Sequence, residues 1–589
     1  MLPIRQIPVS ITGHTWCWRG DRAGLDGDQS LIPDDLITQL ILARGCVREE
    51  VDAHRAPTIR HFLPDPSVFR DMDAAARRLA DAIGAHERVT VYGDYDVDGA
   101  TSAALLIRLL RTLGLEAGYY IPDRLMEGYG PSGEALVRLA GAGTSLIVTV
   151  DCGAQAFEAL EMASAAGVDV IVVDHHKCAS ELPRAFALVN PNRLDESADA
   201  AAHGHLAAVG VAFLLGAALV RELRVRGFFD GRPEPRLIDL LDLVALGTVA
   251  DVAQLRGLNR AFVAQGLKVM ARGENIGLAA LARASRLTRA PLCHDLGFAL
   301  GPRINAGGRV GKSDLGVRLL TTTDEEEARS LSAELDRLNE ERRAIEAMVQ
   351  EQAERLAQTQ ANRAVVLVSG EGWHPGVIGI VAGRLKEKLG RPTIVVAADG
   401  TGIGKGSGRS IAGVDLGAAV LAAKDSGFLI AGGGHAMAAG LTVAMATADA
   451  FHAFLDERLG SQIGAARAER RLALDALLSP RGVNPDLVTK LEEAGPYGVG
   501  WPAPRIATGP LRVIKADIVG SGHVRLILSG SDGASLKAIA FRQGDTALGQ
   551  ELLASPRDRA LWFAGRAKID EWSGGRSAEL HVDDAAWAG

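Results

Sequence analysis

The sequence predicts an α/β protein of several domains: a parallel-sheet domain, a long connecting helix, a second, glycine-rich α/β domain and a C-terminal β-barrel. Three observations carry this reading. From about residue 88 to 190, apolar strand-like runs alternate with helical ones, the pattern of a parallel sheet with crossover helices. From Asp324 to about Gln360, apolar residues keep helical spacing among dense charges. From about residue 465 onward, short alternating runs such as 523–528 read as strands of a small barrel.

In the first domain the strands are expected at 89–92, 146–150 and 170–173, with helices at 101–113 and 154–166. In parallel sheets the ligand site lies beyond the carboxyl ends of the strands. Asp94, Asp96 and Asp98 follow the first strand, Asp151 the second, and Asp174, His175 and His176 the third. Three polar clusters thus meet at one sheet edge.

Three carboxylates spaced two apart repel one another, so Asp94, Asp96 and Asp98 predict a divalent cation. The same spacing opens an EF-hand, but that loop follows a helix and needs a Glu at its twelfth position. Here a strand precedes it and Leu105 stands twelfth. A mostly helical stretch runs on to about residue 322. Within it Asp251 follows the apolar segment 243–250, a place where a lone Asp is more often a helix cap than a ligand.

The long helix would span on the order of 50 Å. Strands resume directly after it, which favours an intramolecular strut, and hence a monomer, over a dimeric coiled coil. The second domain opens at 364–368 and contains two glycine-rich loops, 404–410 and 432–440. Neither has the Gly-x4-Gly-Lys-Ser/Thr register of a P-loop, yet glycine-rich turns can cradle phosphates through backbone N–H groups.

The 589 residues leave room for about three or four domains. A composition of 47% hydrophobic and 23% charged residues is that of a soluble globular protein. Cys17, Cys46, Cys152, Cys178 and Cys293 are scattered without Cys-x-x-Cys pairing. They predict neither a zinc ribbon nor a disulfide scaffold, and fit a reducing cytoplasm. Residues 1–10 lack a long apolar core, so no signal peptide is expected. The longest apolar run, 206–220, is shorter than a membrane span and reads as a buried helix. The net charge of −8 argues against a polyanionic partner only as a total, because phosphate affinity depends on local patches. Two patches exist: Arg303, Arg309, Lys312 and Arg318, then Arg384, Lys386, Lys388, Arg391, Lys405 and Arg409. A merely solvated face is the commoner fate of such runs.

The motifs Asp94-x-Asp96-x-Asp98-Gly99, Val150-Asp151-Cys152-Gly153, Asp174-His175-His176 and Gly247-Thr248-Val249-Ala250-Asp251 occur in that order. The set resembles the DHH phosphoesterase superfamily. Further stretches are similar to its RecJ exonuclease branch: Ile121-Pro122-Asp123-Arg124 with Glu127-Gly128-Tyr129-Gly130, the run 301–309, the run 373–380, and Gly433-Gly434-His435-Ala436. The resemblance covers about residues 50 to 580. It implies an N-terminal extension packed on the core (1–70), a DHH catalytic domain (71–322), the connecting helix (323–361), a DHH-associated substrate-binding domain (362–462) and an OB-like single-strand-binding barrel (463–589).

The same resemblance implies a site. Asp94, Asp96, Asp98, Asp151, His175 and Asp251 would hold two Mn²⁺ or Mg²⁺ ions, with Asp151 bridging. His176 would face the scissile phosphate, completing a catalytic set with Asp98 and Asp151. Arg124, Ser407 and Arg409 would hold the 5′ phosphate. Arg303, Asn305, Arg309 and the Gly434–His435 loop would contact the scissile or neighbouring phosphates. The donor chemistry agrees, since carboxylates suit hard cations and an imidazole shifts preference toward Mn²⁺. Ala154-Gln155-Ala156 departs from the family's pattern at the start of a helix and is expected to stay clear of the ligands.

The implied activity is metal-dependent 5′-to-3′ hydrolysis of single-stranded DNA to mononucleotides in repair and recombination, with a helicase and a single-strand-binding protein as partners. The alternative is a phosphodiesterase for short oligonucleotides or cyclic dinucleotides. The chain length and the barrel disfavour it, because a small substrate needs no extended grip. A non-catalytic DNA-binding module would not be expected to keep a complete ligand set.

Overall fold

A computed structural model describes residues 9–20, 33–123, 127–128, 130–468, 470–556, 558–570 and 577–588. The chain forms two compact units: residues 1–12, 16–336 and 473–589 make the first, and 13–15 with 337–472 the second.

The heart of the first unit is a five-stranded parallel sheet. Its strands are β1 (Val89–Gly93), β2 (Gly118–Tyr120), β3 (Leu146–Val150), β4 (Asp169–Val173) and β5 (Ala187–Val189), in the spatial order β2-β1-β3-β4-β5. β1 and β3 are buried at every position, as expected of a parallel sheet covered on both faces. The register sets Gly93 beside Val150, and Val150 beside Val173. The three central strands therefore end flush, and the next residues, Asp94, Asp151 and Asp174, emerge side by side.

Five helices matter for the site: α1 (Val97–Thr112), α2 (Phe157–Ala165), α3 (Ala208–Val225), α4 (Leu241–Ala250) and α5 (Gly301–Val310). α1 starts four residues earlier than the expected 101, because the Asp96 side chain accepts from the Gly99 amide (3.1 Å) and caps it. Asp98 thereby falls in the first helical turn. A Cβ at Gly99 would sit 2.4 Å from the Asp94 carbonyl oxygen, so only glycine lets the helix start close against the loop. α2 begins later than the expected 154, leaving 154–156 as a loop. α3 contains most of the apolar run 206–220 and is largely buried. No helix among the described residues is long and apolar enough to cross a membrane.

The long helix α6 (Glu325–Gln358) is continuous for 34 residues. In the first unit Leu335 packs near Gly307 of α5. In the second, Val349, Ala353 and Ala357 join the hydrophobic core. These apolar positions are thus buried within the chain.

The second unit is a mixed sheet of β6 (Val366–Glu371), β7 (Thr393–Ala398), β8 (Ile403–Arg409), β9 (Ala431–His435) and β10 (Ala438–Ala444), with helices α7 (Pro375–Leu389), α8 (Leu416–Asp425) and α9 (Ala448–Ala468). Its order is β9-β10-β8-β7-β6, and only β6 and β7 run parallel.

The C-terminal strands β11 (Ile506–Val519), β12 (His523–Ser529), β13 (Ser535–Ala540), β14 (Ala560–Ile569) and β15 (Ala578–Trp587) pair in the order β11-β12-β13-β15-β14. β14 also pairs with β11, closing a five-stranded barrel. The barrel belongs to the first unit, and the Trp16 indole N–H donates to Asp584 on β15 (2.9 Å).

Candidate metal centre

The flush strand ends bring six sequence-predicted ligands together. One oxygen each from Asp94, Asp96 and Asp151 lies within 4.8 Å of the others. Asp98, His175 and Asp251 form a second such group, and Asp151, His175 and His176 a third. Asp151 belongs to two of them. It adopts a left-handed backbone (φ 60°), a conformation that Asp tolerates better than most residues.

Local structure orients each side chain. Asp98 accepts from the amides of Ala208 (2.7 Å) and Val209 (2.9 Å). These are orphan donors at the start of α3, whose N-cap residue Ala207 offers no side-chain cap. Asp98 thus caps a helix 110 residues away in sequence. Asp251 is the C-terminal cap residue of α4 and also offers an oxygen to the group with Asp98 and His175. Val252 follows it with φ 62°, a strained state for a β-branched residue.

His175 sits with Nδ1 3.0 Å from the Leu206 carbonyl oxygen. A carbonyl only accepts, so Nδ1 carries the hydrogen and Nε2 presents its lone pair. That lone pair faces Asp151 Oδ1 at 3.2 Å and Asp98 Oδ2 at 3.9 Å. Burial lowers the His175 pKa, and neighbouring His176 adds to it, which keeps the imidazole neutral. Acceptor atoms converging at this distance need a cation between them. The residues present therefore fit a divalent metal, with a carbonyl in the orienting role typical behind a ligating histidine.

The electrostatics agree. Burial first, then Asp96, pushes Asp98 up to about 7. Burial, then Asp98 and Asp96, pushes Asp251 up to about 9. Asp151 rises well above the carboxylate range through burial and the surrounding Asp96, Asp98, Asp94 and Asp251. Asp174 goes the other way. Burial opposes its charge, but the hydrogen bond from His176 outweighs this and holds it at about 2. Its partner His176 rises to about 9, because the Asp174 hydrogen bond overcomes burial.

Asp174 is the residue that sequence reasoning undervalues. Its Oδ1 accepts from His176 Nδ1 (2.7 Å) and from the amides of His175 (2.7 Å) and His176 (3.1 Å). Its Oδ2 accepts from the Ala154 amide (2.9 Å). The loop 154–156, expected to stay clear of the ligands, thus supports the carboxylate behind them. Asn190 and Asn192 donate to the His176 and His175 carbonyls (2.8 and 2.6 Å). The pattern Asn190-Pro191-Asn192 just after a strand is the available signal.

The predicted phosphate contacts divide between the units. Asn305 on α5 accepts from the Val97 amide (3.2 Å) at the Asp96 loop. Arg303 is buried, its Nε donating to Asp336 (2.8 Å) and its Nη1 to the Ala299 carbonyl (2.7 Å). Arg309 is half-buried on α5. In the second unit Arg409 donates to Ser407 Oγ (3.0 Å). Arg409, Ala438 and His435 stand in register across three strands, with Gly434 beside His435. Arg124 lies outside the described residues.

Comparison with known proteins matches this architecture. Residues 88–248 match the DHH family, N-terminal domain, residues 360–461 the DHHA1 domain, and residues 474–584 the RecJ OB domain. The chain is 38% identical to the single-stranded-DNA-specific exonuclease RecJ of Dickeya dadantii (strain 3937), over 94% of this chain and 96% of that one. The crystal structure of RecJ in complex with Mn²⁺ from Thermus thermophilus superposes with a TM-score of 0.75 at 31% identity, covering 94% of this chain and 76% of that one. The Mg²⁺ complex from the same organism gives 0.69 at 30% identity, covering 94% and 75%. With this identity over almost the whole length, the chain belongs to the RecJ family of single-stranded-DNA-specific exonucleases.

Proposed function

We propose that the protein is a divalent-metal-dependent exonuclease that hydrolyses single-stranded DNA from its 5′ end to 5′-mononucleotides, in DNA repair and recombination. The observation that carries the reading is the His175 Nε2 lone pair aimed at Asp151 and Asp98 within a ring of aligned carboxylates. The relatives named above as single-stranded-DNA-specific exonucleases supply the substrate class.

Asp94, Asp96, Asp98, Asp151, His175 and Asp251 would hold two Mn²⁺ or Mg²⁺ ions. The ions would neutralise phosphate charge and supply a water acidic enough to act as nucleophile near neutral pH. The chain's own groups do the rest. The Leu206 carbonyl and the first amides of α3 fix His175 and Asp98 before substrate arrives. Asp174 holds His176 protonated, so its half-exposed Nε2–H is positioned to donate to a phosphoryl oxygen as charge builds there. No covalent nucleophile is required. Ser407, Arg409, Gly434 and His435, together with Arg124, Arg303, Asn305 and Arg309, would hold the strand's phosphates.

None of the five cysteines is joined to another in a disulfide, which supports a reducing, cytoplasmic setting. A helicase and a single-strand-binding protein are the partners such an activity calls for, and apolar positions of α6 buried within the chain support a monomer.

The test is an assay with Mn²⁺ and end-labelled single-stranded DNA, duplex DNA and dinucleotides. Mononucleotide release from the 5′ end of the single strand is expected. Faster turnover of dinucleotides than of long strands would overturn the reading.

A further inference from the structure

The sheet of the second unit is covered unevenly. One face packs along its width against α8 and α9, through Leu367, Ile394, Val396, Leu441 and Val443. The other face is covered by α7 and the end of α6, whose core takes in Val366, Val368 and Val395, and α7 reaches across as far as β8. Val395 is in register with Ser407, so the side chains of Lys405, Ser407 and Arg409 share this second face. The edge of α7 stops there: a Cβ at Gly379 would sit 3.0 Å from Ser407 Oγ and 2.9 Å from Arg409 Nη2. Beyond that line β10 and β9 carry the face onward, uncovered.

This bare face is not an apolar surface awaiting a protein. Its row beside Ser407 is Gly440 and then Gly433, and its row beside Arg409 is Ala438 and then His435. No carboxylate stands on the face in β8, β9 or β10. Lys405 and His435 are exposed and make no side-chain hydrogen bond or ion pair among the described residues. Lys405 and Arg409 are four residues apart on one strand, about 13 Å, far enough to engage different phosphates of one chain. A Cβ at Gly433 or Gly440 would meet nothing within 4 Å, and neither residue has a left-handed backbone. The fold itself does not need glycine there. Glycine inside a strand marks a place where a ligand or another backbone comes close.

We propose that Lys405 is a further phosphate contact of a single DNA strand that lies extended across this face, over Gly440 and Gly433, with Arg409 on another of its phosphates. The inference rests on the single-strand exonuclease reading and names the surface by which the second unit grips the strand.

The experiment uses the full chain, metal-free so that DNA is not cut, and a labelled 5′-phosphorylated oligothymidine titrated at several salt concentrations. Lys405→Ala should raise Kd roughly tenfold and reduce the slope of log K against log salt by about 0.7 to 1. Gly440→Ala should weaken binding while leaving Tm unchanged or raised. Lys424→Ala, on α8 against the opposite face, should change neither Kd nor slope. An unchanged slope in Lys405→Ala, an equal loss in Lys424→Ala, or a lowered Tm in Gly440→Ala would overturn the proposal. Wild-type hydrolysis with Mn²⁺ is measured alongside. Its absence overturns the exonuclease reading, whereas full hydrolysis with unaltered binding by the variants overturns this proposal alone.

Discussion

His176 Nδ1 and Asp174 Oδ1 lie 2.7 Å apart, and this contact sets the protonation of both residues: about 9 for the imidazole and about 2 for the carboxyl. Asp174 is buried and His176 half-exposed, and each favours the charge of the other. Asp174 also accepts from the His175, His176 and Ala154 amides, so one carboxylate orients the whole loop.

Asp174→Asn should therefore lower kcat by roughly 10–100-fold with little change in KM. The pKa of His176, followed by NMR, should fall toward its ordinary value. A drop in activity with the His176 titration unmoved would assign Asp174 a purely structural role.

The metal-free protein should lose stability as pH rises from about 6.5 to 9. Asp98, Asp151 and Asp251 have folded pKa values raised above the ordinary 3.8, to about 7 for Asp98 and about 9 for Asp251. His176 is raised from 6.5 to about 9. A raised group stabilises the fold fully below its unfolded pKa, and that contribution disappears as pH passes its folded value. The lowered His175 and Asp174 contribute fully above 6.5 and do not reverse the trend. Mg²⁺ should offset the loss, so its upward shift of Tm should be larger at pH 8.5 than at pH 6.5. Equal shifts at the two pH values would count against a metal bound among these carboxylates.

Asp98→Ala should abolish hydrolysis and also cost about 2 kcal/mol of stability, because it strips the cap from α3 and leaves the Ala208 and Val209 amides buried without an acceptor. Asp98→Asn, which keeps an acceptor, should recover much of the stability and little of the activity. Binding of single-stranded DNA should remain measurable in both. Hydrolysis retained by Asp98→Ala would remove Asp98 from the site.

The site is legible in the sequence to the extent that it is local. Asp94, Asp151 and Asp174 each follow an apolar run, and strand ends are visible from such runs. What makes them one site is the register Gly93–Val150–Val173, a set of long-range pairings with no local signature. Backbone donors and acceptors are equally invisible. Leu206 offers a carbonyl and Ala208 an amide, and neither side chain announces it. The start of α1 falls four residues before its expected place because Asp96 reads as a ligand and is also a cap. Arg303 reads as a phosphate contact by family resemblance; that its Nε donates to Asp336, 33 residues on, has no local signature.

Arg260 carries no signal in the sequence, and it supports the clearest structural prediction. It is fully buried on the helix Gly257–Met270, with its guanidinium donating to carbonyls of His54 (3.0 Å), Ala494 (2.9 Å), Pro496 (3.0 Å) and Gly495. These partners are 206 to 236 residues away in sequence, so no motif reveals it. Trp501 packs beside it, 5.3 Å from the guanidinium, with Arg44 4.8 Å from the same ring. The Trp501 indole N–H also donates to Ala494 (2.8 Å). One side chain therefore ties the segment that leads into the barrel to the body of the first unit. Arg260→Ala takes the donor from the His54, Gly495 and Pro496 carbonyls, leaves Ala494 with the Trp501 indole alone, and should cost on the order of 3–5 kcal/mol. Loss of the neighbouring cation and entry of water should shift Trp501 emission to longer wavelength before global unfolding. Arg260→Lys, with three donors that cannot span all four carbonyls, should fall between. Denaturant titration followed by fluorescence checks this. A loss under about 1 kcal/mol with unchanged emission would mean that the barrel is held by other contacts.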